Sequence, residues 1–338
     1  MSPPLPLLIT GVAGVAGYNV LDYFAARYPG QVVGIRQADN WPLSGPNIVA
    51  CDAEDRDQLL RLFDKYEFQA VLNCAGNCAL KACELDSRLA WRTNVEGLIN
   101  LAAIVADRGV RMVHTSVDLV YAGVDMDVDR SQHRYEETDT PDPVTVYGKT
   151  MVSAEQLVAD WLPAAATLRI SLPMGISFNG HAGAIDWIQS RFAKNRPATL
   201  YYDEVRTPAY TDCLNRVYEE VLASDLFGLY HAGGPRNLSL YEIAQIVNRV
   251  GGYDPELLQG CPRLEAGPMP PRAGNVTMDS SKLAEALGRN PFDPWPLDAE
   301  FVPTHREWHY EREGFEGSPE LLAERLYRNP RSIKKVNQ

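Results

Sequence analysis

The residues best placed to do chemistry begin with three glycines. Leu7-Leu8-Ile9-Thr10 reads as a short apolar strand, and Gly11, Gly14 and Gly17 follow it ahead of a helical pattern. Glycine lets the turn be tight and lets the backbone approach a ligand. The helix N-terminus behind it supplies N–H donors and partial positive charge, which suits a pyrophosphate. After a strand and before a helix, this spacing predicts a dinucleotide-binding turn made by Gly11, Gly14, Val15, Ala16 and Gly17. The second strand, Val32–Ile35, leads to Arg36. A carboxylate there would bind the ribose 2′-hydroxyl of NAD, whereas arginine suits the 2′-phosphate of NADP. NADP is therefore the expected cofactor, with NAD the alternative and a solvated Arg36 the structural reading. Asp52 has two readings, a contact to the adenine amino group or a turn or cap.

Other reactive side chains carry weaker signals. Cys74, Cys78 and Cys83 match no common zinc spacing and follow a buried strand, so no metal is expected. His305 and His309 stand four apart in His-Arg-Glu-Trp-His, which is not the zincin order, and read as a surface helix.

The bulk numbers narrow the class. A chain of 338 residues suggests about two domains, or one α/β domain with a lobe attached. A net charge of −12, with no basic run longer than Lys334-Lys335, argues against nucleic acid and anionic membrane surfaces as partners. It would also repel anionic ligands at long range, so local arginines would have to overcome that field. No apolar run approaches the ~20 residues of a membrane span. The N-terminal stretch lacks the basic and apolar regions of a signal peptide, and the 6 cysteines then read as reduced thiols. The expected location is the cytoplasm.

Strand and helix patterns alternate through the first half. Apolar runs at Leu7–Thr10, Val32–Ile35, Ala70–Leu72, Met112–Thr115 and Thr167–Ile170 are separated by helical stripes at 16–27, around Leu59–Phe63, at 91–105 and at 144–162. Strands without strict alternation, spaced by helices, predict a parallel sheet covered on both faces, the doubly wound α/β (Rossmann) architecture. The expected division is a cofactor domain over 1–170, a smaller substrate lobe over 171–294 interleaved with the last strands, and a helical appendix over 295–338. Residues 122–143 read as an acidic loop.

Several motifs occur in a fixed order: Thr10-Gly11-x-x-Gly14-x-x-Gly17, Asn73-Cys74-Ala75-Gly76, Thr93-Asn94-Val95-Glu96-Gly97, Ser116-Val117-Asp118-Leu119-Val120-Tyr121 and Tyr147-Gly148-Lys149-Thr150. With Leu168-Arg169-Ile170-Ser171, Arg206-Thr207-Pro208-Ala209-Tyr210-Thr211-Asp212 and Asp279-Ser280-Ser281-Lys282-Leu283, they resemble the extended short-chain dehydrogenase/reductases over residues 5–290. The likeness is greatest to dTDP-4-dehydrorhamnose reductases and the related regulatory β subunit of methionine adenosyltransferase. The resemblance implies that Asn73, Ala75, Gly76, Asn94 and Tyr147 face the cofactor. It places Cys78 where a loop approaches the nicotinamide. It assigns Arg206 and Arg272 to a substrate diphosphate, with a pair of structural salt bridges as the other reading.

In that family a Ser or Thr, a Tyr and a Lys carry the chemistry. Here Tyr147 is present, the Ser/Thr position holds Val117 and the Lys position holds Met151, with Asp118 next to the first. Residues four apart on a helix share a face, so Met151 sits beside Tyr147 as the lysine would, and Lys149 points away. Ser116 should point to the other side of its strand. Without a nearby cation Tyr147 should titrate near ~10 and remain a proton donor but a poor base. Three functions follow: a nucleotide-sugar 4-keto reductase with an altered site, a non-catalytic cofactor-binding subunit, or an epimerase or dehydratase using Tyr147. The implied ligand is a nucleoside-diphosphate sugar; a homodimer or a partner enzyme is left open.

Overall fold

The computed structural model describes residues 2–123 and 134–328. Six strands follow in order: β1 (Leu7–Thr10), β2 (Val32–Arg36), β3 (Ile48–Ala50), β4 (Ala70–Asn73), β5 (Arg111–Val117) and β6 (Ala166–Ile170). A seventh, Gly228–Ala232, completes one parallel sheet in the order 228–232, β6, β5, β4, β1, β2, β3. The chain builds outward from β1 in one direction and then from β4 in the other. Strand order therefore reverses between β1 and β4, and the loops leaving that point diverge to form a crevice.

Helices cover both faces, as the apolar strands require. They are α1 (Val15–Arg27), α2 (Arg56–Tyr66), α3 (Leu80–Leu85), α4 (Ser87–Trp91), α5 (Gly97–Arg108), α6 (Val146–Trp161), α7 (Ala184–Phe192), α8 (Thr211–Leu222) and α9 (Leu240–Val250). The pleat divides β1: Leu8 joins a core with Leu59, Leu101 and Val158, while Leu7 and Ile9 join Phe24, Val217 and Val221 on the opposite side. This is the doubly wound α/β fold that the sequence predicts. Among the described residues no helix is long and apolar enough to cross a membrane.

One expected helix is broken. The stripe at 91–105 predicts a continuous helix, but a π turn at Arg92–Glu96 separates α4 from α5. Inserting one residue per turn is unfavourable in itself and marks positions where a side chain needs a particular aim. Here that side chain is Asn94, which accepts from Asn77 N–H at 2.6 Å and donates to Thr150 Oγ1 on α6 at 2.8 Å.

Beyond the sheet, short ladders pair 198–201 with 258–261 and 205–206 with 238–239, and they share the core of the sheet with α7 and α9. Composition suggests a helical appendix after 295; the described part, 295–328, is instead 3₁₀ turns, a short helix Pro319–Leu322 and a π turn. Its apolar residues explain the difference. Trp295, Trp308, Leu322, Leu326 and Tyr327 are buried in the same core as the sheet, so packing rather than helical periodicity shapes this stretch. His309 accordingly lies buried in a 3₁₀ turn beside Gln245, not on a surface helix, and burial holds its pKa down to about 4. Part of the acidic loop, 124–133, lies outside the described residues. Beyond it Tyr135 stacks on Tyr121 at 3.9 Å between ring centres and exchanges backbone bonds with Thr277 and Asp279.

Candidate active site at the reversal of strand order

The glycine turn is fixed by sterics. Gly11 has φ +67°, and a Cβ on it would stand 2.1 Å from the Cys74 carbonyl oxygen. A Cβ on Gly17 would stand 2.3 Å from the Gly11 carbonyl oxygen. No L side chain fits at either place without moving backbone. Gly14 has more room and is the N-cap of α1, with no side-chain cap and no acidic residue in the first turn. The N–H groups of the first turn, Val15 to Gly17, therefore have no helical acceptor and are open to an anion. The cleft in front of them is lined by Thr10, Arg36, Asn40, Ala75 and Gly76. A glycine cradle, an uncapped helix and a basic residue at the end of β2 fit a dinucleotide.

The expected cofactor residues divide into two groups. Ala75 and Gly76 line the cleft, and Arg36 does so while its Nη1 donates to the Gln37 and Ala38 carbonyls at 2.8 and 3.1 Å. Asp52 accepts from Ala38 N–H at 2.8 Å. Asn73 is buried and braces strand ends: it accepts from Thr10 Oγ1, and its amide nitrogen meets His114 Nδ1 at 2.9 Å. Asn94 shapes the cleft through Asn77 and Thr150.

The reaction end is apolar. Thr145 caps α6 by accepting from Gly148 N–H at 2.9 Å, which sets Tyr147 in its first turn. Tyr147 and Met151 are both buried and pack with Cys83, Ala273, Val276 and Met278, against which Val117 also rests. The Met151 sulfur is 3.9 Å from where a Cβ on Gly76 would be, so it reaches the wall of the cofactor cleft. Burial drives the Tyr147 phenol well above 10, and the charges of Cys78, Asp118 and Cys83 add to the effect. Among the described residues no cation opposes it. Lys149 is exposed and turned away. Ser116 is fully buried and donates to Glu155 at 2.5 Å, so it cannot stand in for a hydroxyl at 117.

Asp118 follows directly. It is 5% exposed, accepts from Ser171 Oγ at 2.6 Å and lies 3.5 Å from Arg206 Nη1. Burial pushes its carboxyl above the usual range, against the pull of Arg206 and Ser171. Arg206 itself donates to Glu204 Oε1 at 2.7 Å, and Arg272 approaches Glu204 Oε2 at 3.6 Å. The structure thus gathers Asp118, Arg206 and Arg272 around a carboxylate that the sequence reading missed. The salt bridges that are the other reading of these arginines are present, in a cluster of balanced charge. The signal was present: Glu204 and Arg206 are two apart across the start of a strand and share a face. Cys78 is exposed, whereas the Cys83 thiol is buried and donates to the Asn77 carbonyl at 3.2 Å. Among the described residues no group of three or more side chains could hold a metal.

Known proteins are similar to this chain. The probable low-salt glycan biosynthesis reductase Agl14 of Haloferax volcanii is 25% identical over 283 residues, 83% of this chain and 91% of that protein. Methionine adenosyltransferase 2 subunit beta of Xenopus laevis is 26% identical over 300 residues, 86% of this chain and 85% of that protein. The crystal structure of dTDP-4-dehydrorhamnose reductase from Bacillus anthracis in complex with NADP superimposes with a TM-score of 0.73 at 18% identity, covering 87% and 96% of the two chains. The model of the RmlD substrate binding domain matches residues 5–300, and with the fold and the ordered motifs in agreement, the chain belongs to that family.

Proposed function

We propose that this protein binds NADP(H) and reduces a keto group on a nucleoside-diphosphate sugar, with Tyr147 as the proton donor. The observation that carries the reading is the placement of a buried phenol, its pKa raised by burial, beside Met151, whose sulfur stands 3.9 Å from where a Cβ on Gly76 would be, at the cleft wall. When bound, the nicotinamide supplies the hydride that reaches the carbonyl carbon. Tyr147 gives its proton to the carbonyl oxygen, and the apolar side chains around it exclude water. Val117 offers no hydrogen bond to that oxygen, and Met151 offers no charge to the phenolate left behind. Both absences lower the rate, by ~10²–10³ for a lost oxyanion donor alone.

Stopped-flow measurement of NADPH oxidation with a dTDP-4-keto-6-deoxy sugar should show slow turnover that Tyr147→Phe abolishes. The phenol donates only while protonated. Because its pKa is raised, the rate should show no alkaline limb from this group up to about pH 10. Unchanged turnover in Tyr147→Phe would remove it as donor. NADP(H) should bind more tightly than NAD(H), because Arg36 stands at the end of β2 in the cleft. Calorimetry should show Arg36→Ala losing that preference by roughly tenfold; equal affinities in wild type would reject the assignment.

A second reading is a cofactor-binding subunit that acts on a partner enzyme, and the apolar residues at both altered positions favour it. Retained NADP(H) binding with no turnover of any keto sugar, and co-purification with another enzyme, would select it.

A further inference from the structure

The proton-donor role leaves one buried polar cluster unexplained. Glu204 and Arg206 are at most 3% exposed and Thr207 is fully buried, while the Arg272 side chain, at 23%, forms the rim. Arg206 Nε and Arg272 Nε have no hydrogen-bond partner among the described residues, and Glu204 Oε2 and Arg206 Nη1 have only the ion pairs to Arg272 and Asp118 at 3.6 and 3.5 Å. Thr207 Oγ1 is also without a hydrogen bond but faces Gly233 on the other side of the strand. Leaving a buried polar atom unpaired costs about 1–3 kcal/mol, so two arginine nitrogens with no partner beside two atoms held only by long ion pairs call for a missing one.

The charges say what kind of partner. Two carboxylates, Asp118 and Glu204, face two guanidiniums, Arg206 and Arg272. An anion such as a diphosphate would meet cations already neutralised, with Glu204 repelling it. A metal ion would meet the guanidiniums. A neutral group that both donates and accepts suits the open atoms of Glu204, Arg206 and Arg272: Glu204 Oε2 takes a hydrogen bond and the arginine nitrogens give one. Sugar hydroxyls have that character. Arg272 also lies over the Tyr201 ring at 4.5 Å, which holds its fork in one plane.

The position is equally specific. Arg206 ties the cluster to Asp118 at the end of β5, and Ala273 and Val276, just after Arg272, pack in the cluster that surrounds Tyr147. A ring held here would lie toward the cluster around Tyr147. We propose that Glu204 and Arg272 form a subsite for hydroxyl groups of a sugar ring, with Arg206 as a positioning residue behind them, and that the diphosphate is bound elsewhere. This inference rests on the nucleotide-sugar reading and deepens it.

Calorimetry with two probes tests it: dTDP alone, and dTDP-glucose. Glu204→Gln and Arg272→Gln should each weaken dTDP-glucose by roughly tenfold or more, the worth of one charge-assisted hydrogen bond, and change dTDP by less than about twofold. Equal losses for both probes would return the arginines to the diphosphate. No loss for either probe would mean that the cluster holds only water. Both outcomes overturn the subsite and leave the nucleotide-sugar reading standing. Wild type that binds neither probe overturns both. Melting curves accompany each variant; should Glu204→Gln fail to fold, Arg272→Gln at the rim decides alone.

Discussion

Replacing Arg169 by methionine should destabilise the fold by about 3–5 kcal/mol, the usual result of stranding a buried charge. Arg169 is 2% exposed on β6 and grips Glu155 of α6 with two nitrogens, at 2.8 and 2.7 Å. Its third nitrogen donates to the Tyr121 hydroxyl at 2.5 Å, while Ser116 on β5 donates to the same carboxylate. Removing the guanidinium leaves Glu155 buried without a countercharge. Removing both charges, as in Arg169→Met with Glu155→Leu, should restore part of the loss, because the cost of burying ions disappears with them. The Ser116 and Tyr121 hydroxyls then limit the recovery. Urea unfolding measures both. A single variant that loses under about 1 kcal/mol, or a double variant no better than the single, would show that the pair is not what anchors this helix. The consequence reaches the site, since Glu155 lies about two turns beyond Tyr147 on α6. A loosened α6 should reduce turnover more than it reduces binding at the glycine turn, which is built on β1 and α1.

The fold was legible because its signals are local. Apolar strand runs and helical stripes alternate in sequence, and Gly11 and Gly17 are demanded by backbone contacts within one turn and its neighbour. That Tyr147 and Met151 share one buried face was legible for the same reason, since they are four apart on one helix. What escaped were features set by distant packing. The π turn at 92–96 exists because Asn94 must reach both Asn77 and Thr150, and neither partner is visible from helical periodicity. The stretch after 295 has the composition of an exposed helix, yet its tryptophans fill the core beneath α9. Arg206 is plain in the sequence as a cation, but its pairing with Glu204 and Asp118 joins the lobe to the end of β5. An arginine's meaning depends on the charges folded around it, and those come from three parts of the chain.

Rebuilding the triad should give the largest change in activity. Wild type is expected to reduce 4-keto sugar nucleotides slowly, and Val117→Thr with Met151→Lys should raise the rate at least ~10-fold. The geometry supports both halves. Val117 closes β5 against the cluster that holds Tyr147, so a threonine hydroxyl there would stand near the carbonyl oxygen. The Met151 sulfur reaches the wall at Gly76, and a lysine of similar length would bring its ammonium to the same region. That ammonium must be buried, which by itself disfavours the charge. A bound dinucleotide would bring opposing negative charge to the cleft, so the lysine is expected to function only when cofactor is present. The pH profile separates a true rebuilding from a general loosening. Lysine stabilises the phenolate and lowers the Tyr147 pKa, so the double variant should lose its proton donor at alkaline pH, where wild type does not. Tyr147→Phe in that background should remove the gain. If wild type already turns over at ~1–10³ s⁻¹ and ignores Tyr147→Phe, another group carries the proton. Asp118, whose burial keeps its carboxyl partly protonated at higher pH than usual, is then the next donor to replace.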